Sequence, residues 1–100
     1  MQTIHKFKLD DEREMIRLPL GARVLSAKVQ RGRAVVYALV DTAITETEDY
    51  EFVTVSTGED AEVYADGIVN YTFLDTLLFG DNHAFISHIF YRKFWKVVNP

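Results

Sequence analysis

The chain contains no cysteine. A disulfide framework and a thiolate metal site are both excluded, and the composition fits a reducing cytoplasm. Proline is almost as scarce, with Pro19 the only one before the final residue, Pro100. No apolar run is longer than Ala34 to Val40, far short of the roughly 20 residues a membrane helix needs. The stretch Met1 to Arg13 lacks the apolar segment of a secretory signal. The most informative absence is of one charge sign. Between Ala34 and Tyr91 there is no Lys or Arg, although the same stretch holds eleven acids. Residues 1–33 carry eight bases against four acids, and Arg92, Lys93 and Lys96 follow at the end. The net charge of −4 therefore hides a strongly dipolar chain. Segregation of this kind bears on association and steering rather than on fold. It points to a charged partner, or to a second copy of the chain.

What is present is enough for one folded unit. One hundred residues form a single domain spanning 1–100, and such a chain buries about two thirds of its unfolded surface. The 48% apolar content supplies a core, and low hydrophobicity with high net charge, the signature of disorder, is absent.

Glycines are spread evenly, and the segments between them are short and rich in Val, Ile, Thr, Tyr and Phe. This is an all-β rhythm. Strands are expected at Thr3 to Leu9, with His5, Phe7 and Leu9 on one face, and at Met15 to Leu18, ended by Pro19. Pro19 to Ala22 has turn chemistry. Arg23 to Gln30 and Arg33 to Asp41 read as a hairpin around the two-residue loop Arg31-Gly32. Pairing Gln30 with Arg33 sets Ala27 opposite Val36, Leu25 opposite Ala38 and Val29 opposite Ala34. Val35, Tyr37 and Leu39 then share the other face with Val24. Both faces of the second hairpin strand are apolar, which places it centrally, covered on both sides.

Thr42 to Asp49 reads as an acidic loop and Tyr50 to Thr57 as a strand. Gly58 to Asp66 is a second acidic connection, with a helical turn around Ala61 to Tyr64. Ile68 to Leu74 is a strand, Asp75 to Phe79 a short helical turn or longer loop, and Ala84 to Tyr91 the antiparallel partner of the former. Phe94 to Val98 closes the chain as an edge strand or tail, so that 91–100 stands apart as an extra element. The fold class is mainly β: a small antiparallel sandwich or half-open barrel of about seven short strands, with at most one short helical turn.

Chemistry-bearing constellations are sparse. His83 and His88 are five residues apart, so on one strand they would leave opposite faces. His88, between Ile86 and Phe90, is better read as packed or hydrogen-bonded than as a zinc ligand. The acids at 46–51 lack the glycine-enabled turn of a calcium loop. Ser26, Ser56 and Ser87 sit in strand context without a nucleophile elbow. No carboxylate pair is set apart by contrasting environments, and the isolated glycines make no phosphate loop. No catalytic residue, cofactor or metal site follows, and the chain is read as non-enzymatic.

Three binding features remain. Glu46, Glu48, Asp49, Glu51, Glu59 and Asp60 lie in the acidic segments and offer an anionic surface to a basic partner. Phe94 and Trp95 are adjacent aromatics flanked by bases, the composition of an interface anchor; Tyr71, Phe73, Phe85 and Phe90 are assigned to the core. Arg23, Lys28, Arg31 and Arg33 cluster on the first hairpin and could meet nucleic acid. Only Tyr37 accompanies them as an aromatic, however, and the low isoelectric point opposes that use.

The segments TIHKFKL, IRLPLGARVLSAKVQRGRAVVYALVD, EFVTVSTGE and AFISHIFY together resemble a family of short uncharacterised proteins encoded by tailed bacteriophages. The matching positions are His5-Lys6, Leu18, Pro19, Gly21, Ala22, Val24, Leu25, Ala38 to Asp41, Thr57 to Glu59, His88 and Phe90. The segment Asp75 to Asn82 is longer than the usual loop of that family, and Tyr91 to Pro100 runs past its end. The resemblance implies a phage origin, a place in the cytoplasm of the infected bacterium, and no catalytic residue. The function expected is that of an accessory protein which binds a host or phage protein and inhibits a host enzyme or defence system. The alternatives are a self-assembling or virion protein, including a homodimer, and a nucleic-acid binder through the basic hairpin.

Overall fold

A computed structural model describes residues 1–63 and 67–94. Seven strands form the fold: β1 (Gln2–Leu9), β2 (Arg13–Pro19), β3 (Arg23–Gln30), β4 (Arg33–Asp41), β5 (Thr47–Ser56), β6 (Thr72–Phe79) and β7 (Phe85–Lys93). They make two antiparallel sheets, ordered β1-β4-β3 and β2-β5-β7-β6. Three 3-10 turns, Ala61–Val63, Ile68–Asn70 and Asp81–His83, interrupt the connections, where one was expected. Among the described residues no helix is long and apolar enough to cross a membrane.

The hairpin β3–β4 follows from its loop. Arg31 and Gly32 both take positive φ (52° and 76°), the backbone of a two-residue turn whose twist matches the strands. Gln30 pairs with Arg33, Val29 with Ala34 and Ala27 with Val36, as the sequence implies. The register then shifts at Leu25. A bulge between Val24 and Ser26 places Val24, not Leu25, opposite Ala38. Val24 consequently turns inward against the core, and Leu25 is 41% exposed. An extra residue on one strand has this effect, because it inverts the alternation beyond it.

The inner faces supply a common core. Leu9, Leu18, Ala27, Val36, Ala38, Val40, Tyr50, Phe52, Leu77 and Ile89 are buried between the sheets. β4 is central in its sheet, and Val35 on its outer face is also buried. At one side the sheets meet along β3 and β6, where the Ala27 N–H donates to the Asp75 carboxylate at 3.3 Å. The architecture is a sandwich closed along that side.

Four segment assignments need correction. β5 begins at Thr47, paired with Pro19, so the last three residues of the expected loop Thr42 to Asp49 are strand. Ile68 to Leu74 is not one strand: Gly67 enters at φ 69°, and Tyr71 N–H bonds back to the Ile68 carbonyl at 3.0 Å, closing a turn. The strand starts at Thr72 and continues through Asp75 to Phe79, where a helical turn or loop was expected. Asp75 is tolerated there because Ala27 N–H and Lys28, 3.6 Å away, receive its charge. The final strand runs to Lys93, and Phe94 follows it outside any strand. Residues 95–98 of the expected edge strand lie outside the described residues.

Candidate functional site

The outer face of β2-β5-β7-β6 carries the most unusual chemistry in the molecule. Along β5, Tyr50 and Phe52 point to the core, so Glu51, Val53 and Val55 take the opposite face. All three are buried, and Glu51 has no exposed surface at all. A buried carboxylate must be paired and hydrogen-bonded, and this one is. Arg13 Nε donates to Glu51 Oε2 at 2.6 Å, from β2. Arg92 Nε, on the β7 residue directly opposite, donates to Oε1 at 3.0 Å. The Tyr71 hydroxyl donates to the same Oε1. Tyr71 in turn lies beneath the Arg92 guanidinium, whose carbon is 4.6 Å from the ring centroid.

These contacts set the titration of both groups. Burial alone would raise the Glu51 carboxyl, but the hydrogen bonds from Tyr71 and Arg13 and the two guanidinium charges outweigh it and hold the group below its ordinary range. Burial and the Glu51 hydrogen bond push the Tyr71 hydroxyl up to about 12. The cluster is an ionic clamp tying β2, β5, β7 and the start of β6 together. Its carboxylate accepts from three donors, Arg13, Arg92 and Tyr71.

Beside the clamp the same face is apolar and open. Phe73 and Phe90 are cross-strand partners with ring centroids 5.5 Å apart, edge to face. Leu78 and Ile86 are partners further along the same two strands. Phe73 is 54% exposed, Leu78 43% and Ile86 38%. Met15, opposite Glu51 on β2, is exposed on this face as well. Phe85 is also exposed, but as the register partner of Phe79 it alternates with Ile86 onto the inner face, at the end of the sheet. Between the two apolar pairs His88 is held by hydroxyls, Thr57 at Nε2 (2.9 Å) and Thr76 at Nδ1 (3.0 Å). This is the hydrogen-bonded role expected for it. The turn after β5 is joined to this end of the sheet by the bond from Thr57 N–H to the Ile86 carbonyl, 3.0 Å. It brings exposed Glu59 and Asp60 next to the apolar strip.

The acids expected to meet a partner divide into three groups. Glu51 is removed from the surface and cannot contact another molecule, because alternation along β5 turns it beneath Tyr71 and the two arginines. Glu48 and Asp49 are engaged within the fold, with Lys93 at 3.4 Å and Arg17 at 3.4 Å. Glu46, Glu59 and Asp60 are exposed. The last two also serve their turns, Glu59 accepting from Ser56 N–H and Asp60 from Glu62 N–H. Among the described residues six ion pairs join a central acid to a base from one end of the chain. Much of the dipole in the sequence is therefore consumed by folding.

Phe94 is 39% exposed, and its N–H donates to the Asp49 carbonyl at 2.8 Å. Trp95 lies outside the described residues. Phe73 and Phe85, assigned to the core from the sequence, are on the surface instead. Phe73 shares the face of Phe90 because the two are register partners, and neither lies in the buried core cluster. The basic set of the hairpin does not act together. Lys28 is held by Asp75, and Arg23 stands opposite Leu39 at the far end of the sheet from Arg31 and Arg33.

Among the described residues no three His, Cys, Asp or Glu side chains are grouped to hold a metal ion. Neither the curated proteins nor the solved structures contain a match to this sequence. One family model does match, over residues 1–98. The chain therefore belongs to the family described as domain of unknown function DUF7352.

Proposed function

We propose that the protein is a non-catalytic binding module that engages another protein through the outer face of β2-β5-β7-β6. The observation that supports this reading is the gathering of Phe73, Leu78 and Ile86, with Met15 on β2, as exposed large apolar side chains on that face. Contiguous exposed apolar surface of this kind marks interaction sites, and aromatic side chains dominate their energetics. Exposed Glu59 and Asp60 beside the strip favour a partner with an apolar patch bordered by Lys or Arg. The Glu51 clamp supports the role by fixing the strands that present the surface. Pre-organised side chains lose less freedom on binding.

The resemblance to short phage-encoded proteins supports a partner among the proteins of an infected bacterium, where the module would inhibit a host enzyme or defence system. The test compares the wild-type chain with Phe73→Asp/Ile86→Asp in parallel captures from nuclease-treated host lysate, with solution mass measured for both. A stoichiometric partner retained by the wild type and lost by the variant supports the reading. A wild-type mass twice that of the variant, with no second protein captured, replaces it with self-association through the same face. Equal capture by both chains overturns it.

A further inference from the structure

The opposite side of the molecule carries a site of different chemistry. On the outer face of β1-β4-β3 the register aligns Lys6, Tyr37 and Ser26 in one row, and Lys8, Val35 and Lys28 in the next. Beyond them lie Arg33, opposite Gln30, and the turn residue Arg31. Lys6, Lys8, Gln30, Arg31, Arg33 and Val35 line one hollow of about 330 Å³. Its Val35 wall is 1% exposed. Lys6 Nζ donates to Gln30 Oε1 at 2.7 Å, which bridges the hollow from β1 to β3. Arg33 is paired with Asp10 at 3.0 Å. No carboxylate pairs with Lys8 or Arg31 among the described residues. Four cations thus line one hollow with no acid among its lining residues; Asp10, Asp11 and Glu12 lie on the other side of Arg33, around a neighbouring hollow.

We propose that this hollow is a binding site for a multiply charged phosphate group, a phosphate monoester or pyrophosphate on a small ligand. The charge of the site selects that chemistry. A monoester carries about −1.5 to −2 at pH 7 and presents three strong acceptor oxygens, which suits this excess of cations better than a singly charged diester. Two guanidinium forks and two ammonium groups are the donors such oxygens take. The layout separates the site from a nucleic-acid track. A track strings cations along a groove with stacking aromatics, whereas here they gather at one corner, with Arg23 at the far end of the sheet and Tyr37 half-buried.

The site is tested with pyrophosphate itself, titrated at constant ionic strength and followed by calorimetry and by Tm. The variant is Lys8→Gln/Arg31→Asn. Glutamine keeps part of the Lys8 stem, and asparagine suits the left-handed backbone of Arg31, so the free variant should melt like the wild type. Lys8→Gln alone serves if the pair does not fold. Saturable binding by the wild type, weakened about tenfold or more in the variant, is the expected result. Absence of saturable binding, or equal binding by both chains, overturns the proposal. A third arm uses single-stranded DNA with 5′-hydroxyl ends, which offers only diesters. Binding to DNA that is tighter than to pyrophosphate and grows with strand length overturns it too, and leaves a nucleic-acid track in its place.

Discussion

On the outer face of β1-β4-β3, an apolar side chain is buried among charges: Val35 lies in register between Lys8 and Lys28. On the outer face of β2-β5-β7-β6 the arrangement is reversed. There Glu51 is buried, while Phe73, Leu78 and Ile86 reach solvent. The first face is ordinary physics, since lysine stems cover apolar surface and leave their charges in water. The second pays twice, by enclosing a charge and by exposing apolar area. The enclosed charge belongs to this sheet, whereas exposed apolar area is shared, because Ile4 and Leu25 reach solvent on β1 and β3. A face that encloses a carboxylate beside exposed aromatic and aliphatic groups is shaped for contact with another protein, whereas a corner that gathers cations is shaped for water or for a small anion.

The comparison breaks most sharply at Glu51. Replacing it with Ala strands Arg92 and the Tyr71 hydroxyl, and removal of one partner from a buried pair costs about 3–5 kcal/mol. Urea unfolding should show a loss of that order. Loss of less than about 1 kcal/mol would mean that the clamp behaves as a surface pair. The next effect is on binding. Phe73→Asp/Ile86→Asp should lower partner affinity by the roughly 2 kcal/mol or more typical of a central anchor, while the urea midpoint moves little because both side chains are already exposed. Tyr71→Phe removes one hydrogen bond to a charged acceptor and should cost about 1.5–3 kcal/mol.

Acid and alkali probe the same clamp from two sides. Glu51 is more acidic folded than unfolded, so its stabilisation is present above its ordinary value of 4.5 and is lost as pH falls through the lower folded value. Tyr71 is raised from 10.0 to about 12 on folding. Its contribution is complete below pH 10 and is lost as pH rises through about 12. Melting curves across pH should show both slopes in the wild type. The acid slope should flatten in Glu51→Gln and the alkaline slope in Tyr71→Phe.

Much of the sheet structure was legible because local chemistry dictates it. The loop Arg31-Gly32 set the hairpin register, and the two-sided apolar pattern of β4 placed it in the centre. The bulge at Leu25 was not legible, since nothing in the composition of β3 marks an extra residue. β6 was misread at both ends for a different reason. Asp75 argues against a strand by propensity, and its compensation comes from β3, nearly fifty residues away. The fate of the charges needed tertiary structure as well. Glu51 sits amid acids that read as one solvated cluster, and only strand alternation together with Arg13 and Arg92 reveals that it is buried. The exposed apolar strip was hidden by the opposite error, because Phe73 looks like a core residue in any β sequence.

The most direct test sets the two faces against each other in one experiment. Wild type, Phe73→Asp/Ile86→Asp and Lys8→Gln/Arg31→Asn are immobilised at equal density and offered the same lysate, and the captured proteins are quantified by mass spectrometry. The account predicts a stoichiometric partner on the wild type and on the lysine–arginine variant, and none on the aspartate variant. A partner lost from the lysine–arginine variant and kept by the aspartate variant would contradict it and move the protein-binding surface to β1-β4-β3.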